Sequence, residues 1–296
     1  MIEFAANQQL RQRIMDFSDQ LRVEVQSNVA TALAEDIGSG DLTALLTAPG
    51  HGARGTVISR QDAVLCGTAW FDACFRTLDR RATIQWHAHD GDRIASGQTL
   101  CDISAETRAL LTAERPALNF LQLLSATATV TRQHVDAVAG TKAKIVDTRK
   151  TLPGLRLAQK YAVRVGGGTN HRLGLYDGIL IKENHIIAAG GVKPALKAAR
   201  EIAPSNVFIQ IEVETLDQLR EALAAGGTMI LLDNMSLEQM HEAAAICAGR
   251  AELEASGGVD LGRVRQIAET GVDRISIGGL TKDVRAVDLS LRHVEK

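Results

Sequence analysis

The chain has 296 residues, of which 45% are hydrophobic, 23% charged and 3% aromatic, with 33 basic against 35 acidic side chains. That length predicts two domains or a barrel with an appendage, and the composition excludes wholesale disorder and a coiled coil. A net charge of −2 excludes a generic nucleic-acid coat and a polybasic membrane binder, and so few aromatics exclude a stacking platform for single strands. The core is expected to rest on Ala, Val, Ile and Leu, which suits a parallel α/β sheet.

Charges recur through the opening MIEFAANQQLRQRIMDFSDQLRVEV, so no signal-peptide core is predicted there. No apolar run reaches the ~18 residues of a spanning helix. Cys66, Cys74, Cys101 and Cys247 form no CxxC pair and lack zinc spacing, and read as reduced packing residues of a cytoplasmic protein. Residues 1–36 read as helical, with a stop at Gly38 and Gly40. ARGTVISR and ATIQWHAHDG then alternate apolar and polar residues, the pattern of half-buried strands. GDRIASGQTLCDIS follows the turn-and-strand grammar of biotinyl and lipoyl carriers. Lys142 is the first lysine of the chain, however, so a carrier role is disfavoured. Residues 104–139 read as a long helical stretch in which Pro116 either opens a helix or kinks it.

From residue 143 the pattern changes. AKIVDT, GILIK, VFIQIEVE, TMILLD, RAELEAS and DRISIGG read as short strands, and helical runs such as LRLAQKYAVRV and LDQLREALAAG separate them. Six β–α units predict a parallel sheet curved into a barrel short of eight units. The tail VDLSLRHV alternates again and is expected to return to the N-terminal sheet.

In β/α barrels the chemistry sits at the C-terminal ends of the strands. Here those ends carry Asp147 to Lys150; Lys182 to His185; Glu212 and Glu214; Asp233 and Asn234; Ser256 to Gly258; and Gly278 and Gly279. The charges also segregate: residues 141–185 hold nine Lys/Arg against three acids, and residues 201–260 hold eleven acids against two Arg. Many of these charges lie on solvated helix faces. At a strand end a charge needs a partner or a ligand. A basic wall facing an acidic one suits an anionic substrate with sugar hydroxyls and a divalent metal. The two glycine pairs at consecutive strand ends read as an anion nest.

The block TRKTLPGLRLAQKYAVRVGGGTNHRLGLYDGILIKENHI (148–186) closely resembles the quinolinate phosphoribosyltransferases. So do LAEDIGSGDLT, ERPALNFLQLLS, IEVET, LLDN, EASGGV and ETGVDRISIGGLTKDVRAVDLSL, in order along nearly the whole chain. The resemblance implies an α/β fold: an N-terminal α/β sandwich domain (1–125, with the tail 281–296 returning to it) and an incomplete, open β/α barrel (126–280). It implies the reaction of quinolinate with phosphoribosyl pyrophosphate, using Mg²⁺, to give nicotinate mononucleotide, pyrophosphate and CO₂. It implies a homodimer with a shared site, assembled into hexamers in some members. By motif, Arg115 of the partner copy, Arg149, His171, Arg172 and Lys182 are expected around quinolinate. Lys150 and Lys182 are expected near the pyrophosphate and ribose, with Glu212 and Asp233 facing the ribose hydroxyls and Mg²⁺. Ser256, Gly257, Gly258, Gly278, Gly279 and Lys282 are expected around the 5′-phosphate. Glu214 shares a strand face with Glu212, so either can be the ligand. Two positions depart from the family: Pro116 stands where Thr is frequent, and Lys282 with Asp283 where His is frequent.

Overall fold

The computed structural model describes residues 2–294, which form two compact units. The first unit comprises residues up to 129, 153–165 and those from 284 onward. The second comprises 130–152 and 166–283.

The first unit opens with helix α1 (Ile2–Ile37), which ends where Gly38 takes a left-handed φ of 51°. Val25, Val29 and Leu33 recur at every fourth residue, and all three are buried in the core. Strands β1 (Gly52–Ser59), β2 (Ala63–Val64), β3 (Thr83–Trp86), β4 (Arg93–Ile94) and β5 (Thr99–Glu106) follow, with helix α2 (Thr68–Leu78) between β2 and β3. β12 (Leu289–Val294) completes an antiparallel sheet of order β12-β1-β5-β3, and β2 pairs with β4. In β1 only Gly55, Val57 and Ser59 alternate cleanly into the interior, so Val57 and its partner Cys101 face the core.

The first core departs from the aliphatic expectation. Trp70, Phe71 and Phe75 of α2 are fully buried, and Phe71 packs on Phe75 and Trp86 with centroids 5.0 and 5.3 Å apart. The scarce aromatics are thus concentrated in this core. Asp90 anchors the start of α2 by accepting the N–H groups of Gly67 and Thr68, and it also accepts the Tyr161 hydroxyl at 2.8 Å.

Helix α3 (Thr107–Ala137) runs on for 31 residues. Pro116 is its tenth residue, neither an opener nor a stop, and withholds only the N–H that would reach the Thr112 carbonyl. Helix α4 (Arg156–Val165) corrects the sequence reading, which assigned LRLAQKYAVRV to the barrel. Its buried Ala158 and Ala162 belong to the first unit's core, with Leu155, Tyr161 and Val165 packed against it.

The second unit holds the six expected strands: β6 (Lys144–Val146), β7 (Gly178–Ile181), β8 (Phe208–Val213), β9 (Met229–Asp233), β10 (Glu252–Ser256) and β11 (Arg274–Ser276). They form one parallel sheet of order β6-β11-β10-β9-β8-β7. The first strand, β6, therefore pairs with the last, β11, while β6 and β7 do not pair with each other and the barrel is open between them. On that open side Val146 bridges only to Thr169. Helices α5 (Glu183–Ala189), α6 (Val192–Ile202), α7 (Leu216–Ala224), α8 (Leu237–Cys247), α9 (Val264–Glu269) and α10 (Gly279–Lys282) return the chain between strands or follow the last one. Thr215 and Ser236 cap α7 and α8 by accepting the N–H groups of Gln218 and Gln239, which fixes where β8 and β9 hand over to helix. Among the described residues no helix is long and apolar enough to cross a membrane.

Candidate active site

Strand alternation sends every second residue to the same side of the sheet. The register sets Glu212 beside Leu231, Leu231 beside Glu254, and Asp233 beside Ser256. These residues line a cavity of about 250 Å³ in the second unit, together with Thr148, Arg149, Lys150, His171, Arg172, Leu180, Lys182 and Ser276. Of the residues expected from sequence, Arg149, Lys150, His171, Arg172, Lys182, Glu212, Asp233 and Ser256 thus come together.

The basic side of the cavity is assembled by Asp147. Fully buried at the end of β6, it accepts the His171 N–H at 2.8 Å and the Asn170 amide at 2.6 Å. Thr169 also donates its N–H to Ile145, so residues 169–171 lie along β6 almost as another strand. Arg172 follows, and its Nη1 donates to the Gly178 carbonyl at 2.9 Å. Gly178 must be glycine here, because a Cβ would come 2.5 Å from the Phe208 ring. Burial lowers the Arg172 pKa from its ordinary value and the Arg149 guanidinium lowers it further, with Asp177 opposing. Arg149 Nε is buried with no hydrogen-bond partner among the described residues. Two guanidiniums that repel each other in a half-buried cleft make a site for a strongly anionic ligand.

His171 is held differently from the expectation. Its Nδ1 accepts the Arg172 N–H at 2.7 Å and its Nε2 meets Gln210 Oε1 at 2.8 Å, so both ring nitrogens are engaged within the protein. The ring stands edge-on to Phe208 at 5.5 Å. It lines the cavity beside Arg172.

On the acidic side Glu212 pairs with Lys182 at 3.1 Å. Glu214 is exposed past the end of β8, where its N–H is bonded to Gln218, and it does not line the cavity. Of the two, Glu212 is the one that faces the cavity. Asp233 accepts from the Asn234 amide at 2.9 Å. Asn234 has a left-handed φ of 51°, and Gly257, with φ 104°, lies flat against its side chain.

The glycine pairs border the cavity rather than line it. A Cβ on Gly278 would come 2.8 Å from Lys150 Cδ, so Gly278 lets the lysine stem lie across the end of β11. Thr281 Oγ1 donates to the Lys150 carbonyl at 2.8 Å and ties the two strand ends together. Lys282, also expected around the phosphate, is exposed, and its Nζ pairs with the adjacent Asp283 at 2.7 Å. Gly279 also has the Asp283 carboxylate nearby, 3.4 Å from where a Cβ would stand. Arg115 is exposed on α3 of the first unit, in a groove with Asp36, Asp41 and Thr112, and is not among the residues lining the barrel cavity.

Sequence reasoning missed Gln210, Glu254 and Ser276. The signal was present: each lies two residues from a chosen strand-end residue, so each falls on the same face.

Sequence models of the quinolinate phosphoribosyl transferase N-terminal and C-terminal domains match residues 41–125 and 127–292. The chain is 45% identical over 276 residues to the carboxylating nicotinate-nucleotide pyrophosphorylase of Mycobacterium leprae, covering 90% of this chain and 96% of that protein. It is 42% identical over 257 residues to the probable enzyme of the same name from Bacillus subtilis, covering 87% and 89%. A solved structure of the nicotinate-nucleotide pyrophosphorylase from Francisella tularensis superposes with a TM-score of 0.89 at 43% identity, covering 92% of this chain and 97% of that one.

Proposed function

The chain belongs to the quinolinate phosphoribosyl transferase family, and we infer that it joins quinolinate to phosphoribosyl pyrophosphate, giving nicotinate mononucleotide, pyrophosphate and CO₂ in de novo NAD synthesis. The observation that carries this reading is the Arg149–Arg172 pair beside Lys182, facing Glu212 and Asp233 across one cavity. A dicarboxylate answers two adjacent guanidiniums, and a sugar answers two carboxylates.

The ring nitrogen of quinolinate has no proton to lose, so attack on the ribose C1 needs no base. What it needs is alignment. In this reading Arg149 and Arg172 hold the two carboxylates bidentately and so aim the nitrogen. Positive charge develops on the ribose as pyrophosphate leaves, and Glu212 and Asp233 stabilise it. Lys150 meets the leaving group. Once alkylated, the ring is cationic, and the carboxylate beside the nitrogen departs as CO₂ because N⁺ stabilises the carbanion at C2. A proton then arrives at C2. With both His171 nitrogens engaged, Lys182 is the side chain suited to supply it.

Among the described residues no three His, Cys, Asp or Glu gather as a metal cage. Glu212 and Asp233 nevertheless suit Mg²⁺ that arrives on pyrophosphate and keeps its waters. When bound it would neutralise charge on the leaving group. We also propose a cytoplasmic homodimer, extended to a hexamer by further association, in which Arg115 of a second copy reaches quinolinate. Subunit mixing tests the shared site. Arg115→Ala and Arg172→Ala are each expected to be inactive and to regain part of the activity together, and failure despite demonstrated exchange refutes sharing.

The decisive experiment for the reaction uses quinolinate labelled in the 2-carboxyl, with phosphoribosyl pyrophosphate and Mg²⁺. Labelled CO₂ is expected in step with nicotinate mononucleotide. Product from nicotinate, with no labelled CO₂ from quinolinate, overturns the assignment.

A further inference from the structure

Glu254 is a buried acid that the reaction as written does not use. It is 1% exposed, yet it lines the cavity. Its Oε2 accepts from Gln210 Nε2 at 3.1 Å and from Arg274 Nε at 3.1 Å, and its Oε1 is buried with no hydrogen-bond partner among the described residues. Gln210 is fully buried and its Oε1 meets His171 Nε2 at 2.8 Å, while the Glu254 Oε2 itself lies 3.7 Å from that same nitrogen. His171 Nδ1 in turn accepts the Arg172 N–H at 2.7 Å.

Donor and acceptor chemistry gives this chain a single direction. Paired with Arg274, the Glu254 carboxylate only accepts, so Gln210 turns its NH₂ toward it and its carbonyl toward His171. A carbonyl also only accepts, so the proton of the imidazole sits on Nε2. Nδ1 is then a lone pair, the one state that can receive the N–H of Arg172. We propose that Glu254 is a positioning residue: through Gln210 it fixes neutral His171 in its Nε2–H form, and so holds the backbone that presents Arg172 to the aromatic dicarboxylate. Only the last clause rests on the function inferred above. The register supports the assignment, because Glu254 stands one alternation below Ser256 and shares its row with Leu231 and Arg274, beneath the rim of the cavity.

The test separates the relay from the reaction. In ¹⁵N-histidine-labelled free enzyme, His171 is expected to show a pyrrole-type Nε2 and a pyridine-type Nδ1 at neutral pH. An Nδ1–H tautomer or an imidazolium overturns the proposal, whatever reaction the enzyme performs. Gln210→Met removes the acceptor with little change in volume. It is expected to raise KM for quinolinate by roughly 10- to 100-fold through misplacement of Arg172, while KM for phosphoribosyl pyrophosphate stays unchanged. Glu254→Gln keeps an acceptor at the Oε2 position and is expected to retain the Nε2–H tautomer and the wild-type KM, whereas Glu254→Met is expected to behave as Gln210→Met. An unchanged quinolinate KM in Gln210→Met, or equal damage from Glu254→Gln and Glu254→Met, overturns the relay. If the methionine variants do not fold, the wild-type tautomer and the Glu254→Gln kinetics still decide it.

Discussion

Gly257→Ala tests how Asp233 is held. A Cβ on Gly257 would stand 2.8 Å from Asn234 Cγ and 3.0 Å from its backbone N, at a φ of 104° that L residues rarely adopt. The backbone strain costs roughly 1–3 kcal/mol. Overpacking against Asn234 adds roughly 1–3 kcal/mol. At about 2 °C per kcal/mol for a chain of this size, the melting temperature should fall by several degrees. Part of the strain is relieved by moving Asn234, whose amide anchors Asp233. If that displacement takes about 3 kcal/mol from the transition state, kcat/KM for phosphoribosyl pyrophosphate falls by roughly 150-fold. The control is Asn234→Gly, which removes the obstructing side chain and suits the left-handed φ of 51°. In that background Gly257→Ala should lose most of its overpacking cost, yet activity should not return, because the anchor of Asp233 is gone. Thermal unfolding and steady-state kinetics on the four proteins read both terms. Equal destabilisation by Gly257→Ala in both backgrounds would refute the packing argument, and full activity in Gly257→Ala would refute the role of the anchor.

Further outcomes follow from other contacts. Gly278→Ala should displace the Lys150 stem, found 2.8 Å from the added methyl, and raise KM for phosphoribosyl pyrophosphate in initial-rate assays while leaving quinolinate binding in place. Asp283→Asn should free Lys282 and lower that same KM by up to about fivefold, the range of an exposed pair; a rise would show that Asp283 is not opposing the substrate. Backbone N–H groups of Glu106 and then Arg81 hold the Asp79 carboxyl below its ordinary pKa of 3.8. A depressed folded pKa stabilises above the unfolded value and is lost as pH falls through the folded one. Asp79→Asn should therefore lower the melting temperature at pH 7, by an amount that shrinks as the pH falls below 3.8. Burial pushes the Cys74 thiol up to about 12 and raises Cys66 and Cys101 as well, so an alkylating reagent should reach these three only after unfolding, and rapid labelling of native protein would contradict the packing.

The sequence made the barrel legible because its strands are short apolar runs ending in charge. AKIVDT through DRISIGG became β6 to β11, and Arg149, Lys182, Glu212 and Asp233 lie where strand ends put them. Alternation carries that information locally, but it does not show that the first strand pairs with the last and that the gap falls between β6 and β7. What stayed hidden depends on partners distant in sequence. LRLAQKYAVRV has the same amphipathic pattern as a barrel helix, and only the identity of the surface covering Ala158 and Ala162 assigns it to the first unit. His171 is expected as a ligand from the resemblance, and what its ring meets is set by a partner 39 residues away: Gln210 takes one nitrogen and the next N–H takes the other. The charge pattern carries a related lesson. Its near-zero net value cancels between a basic and an acidic segment, and the cavity is where those segments meet: Arg149 stands against Arg172 with Asp177 opposing, while Lys182 pairs with Glu212. Under the function inferred above, the basic half is the one whose two guanidiniums a dicarboxylate can bridge.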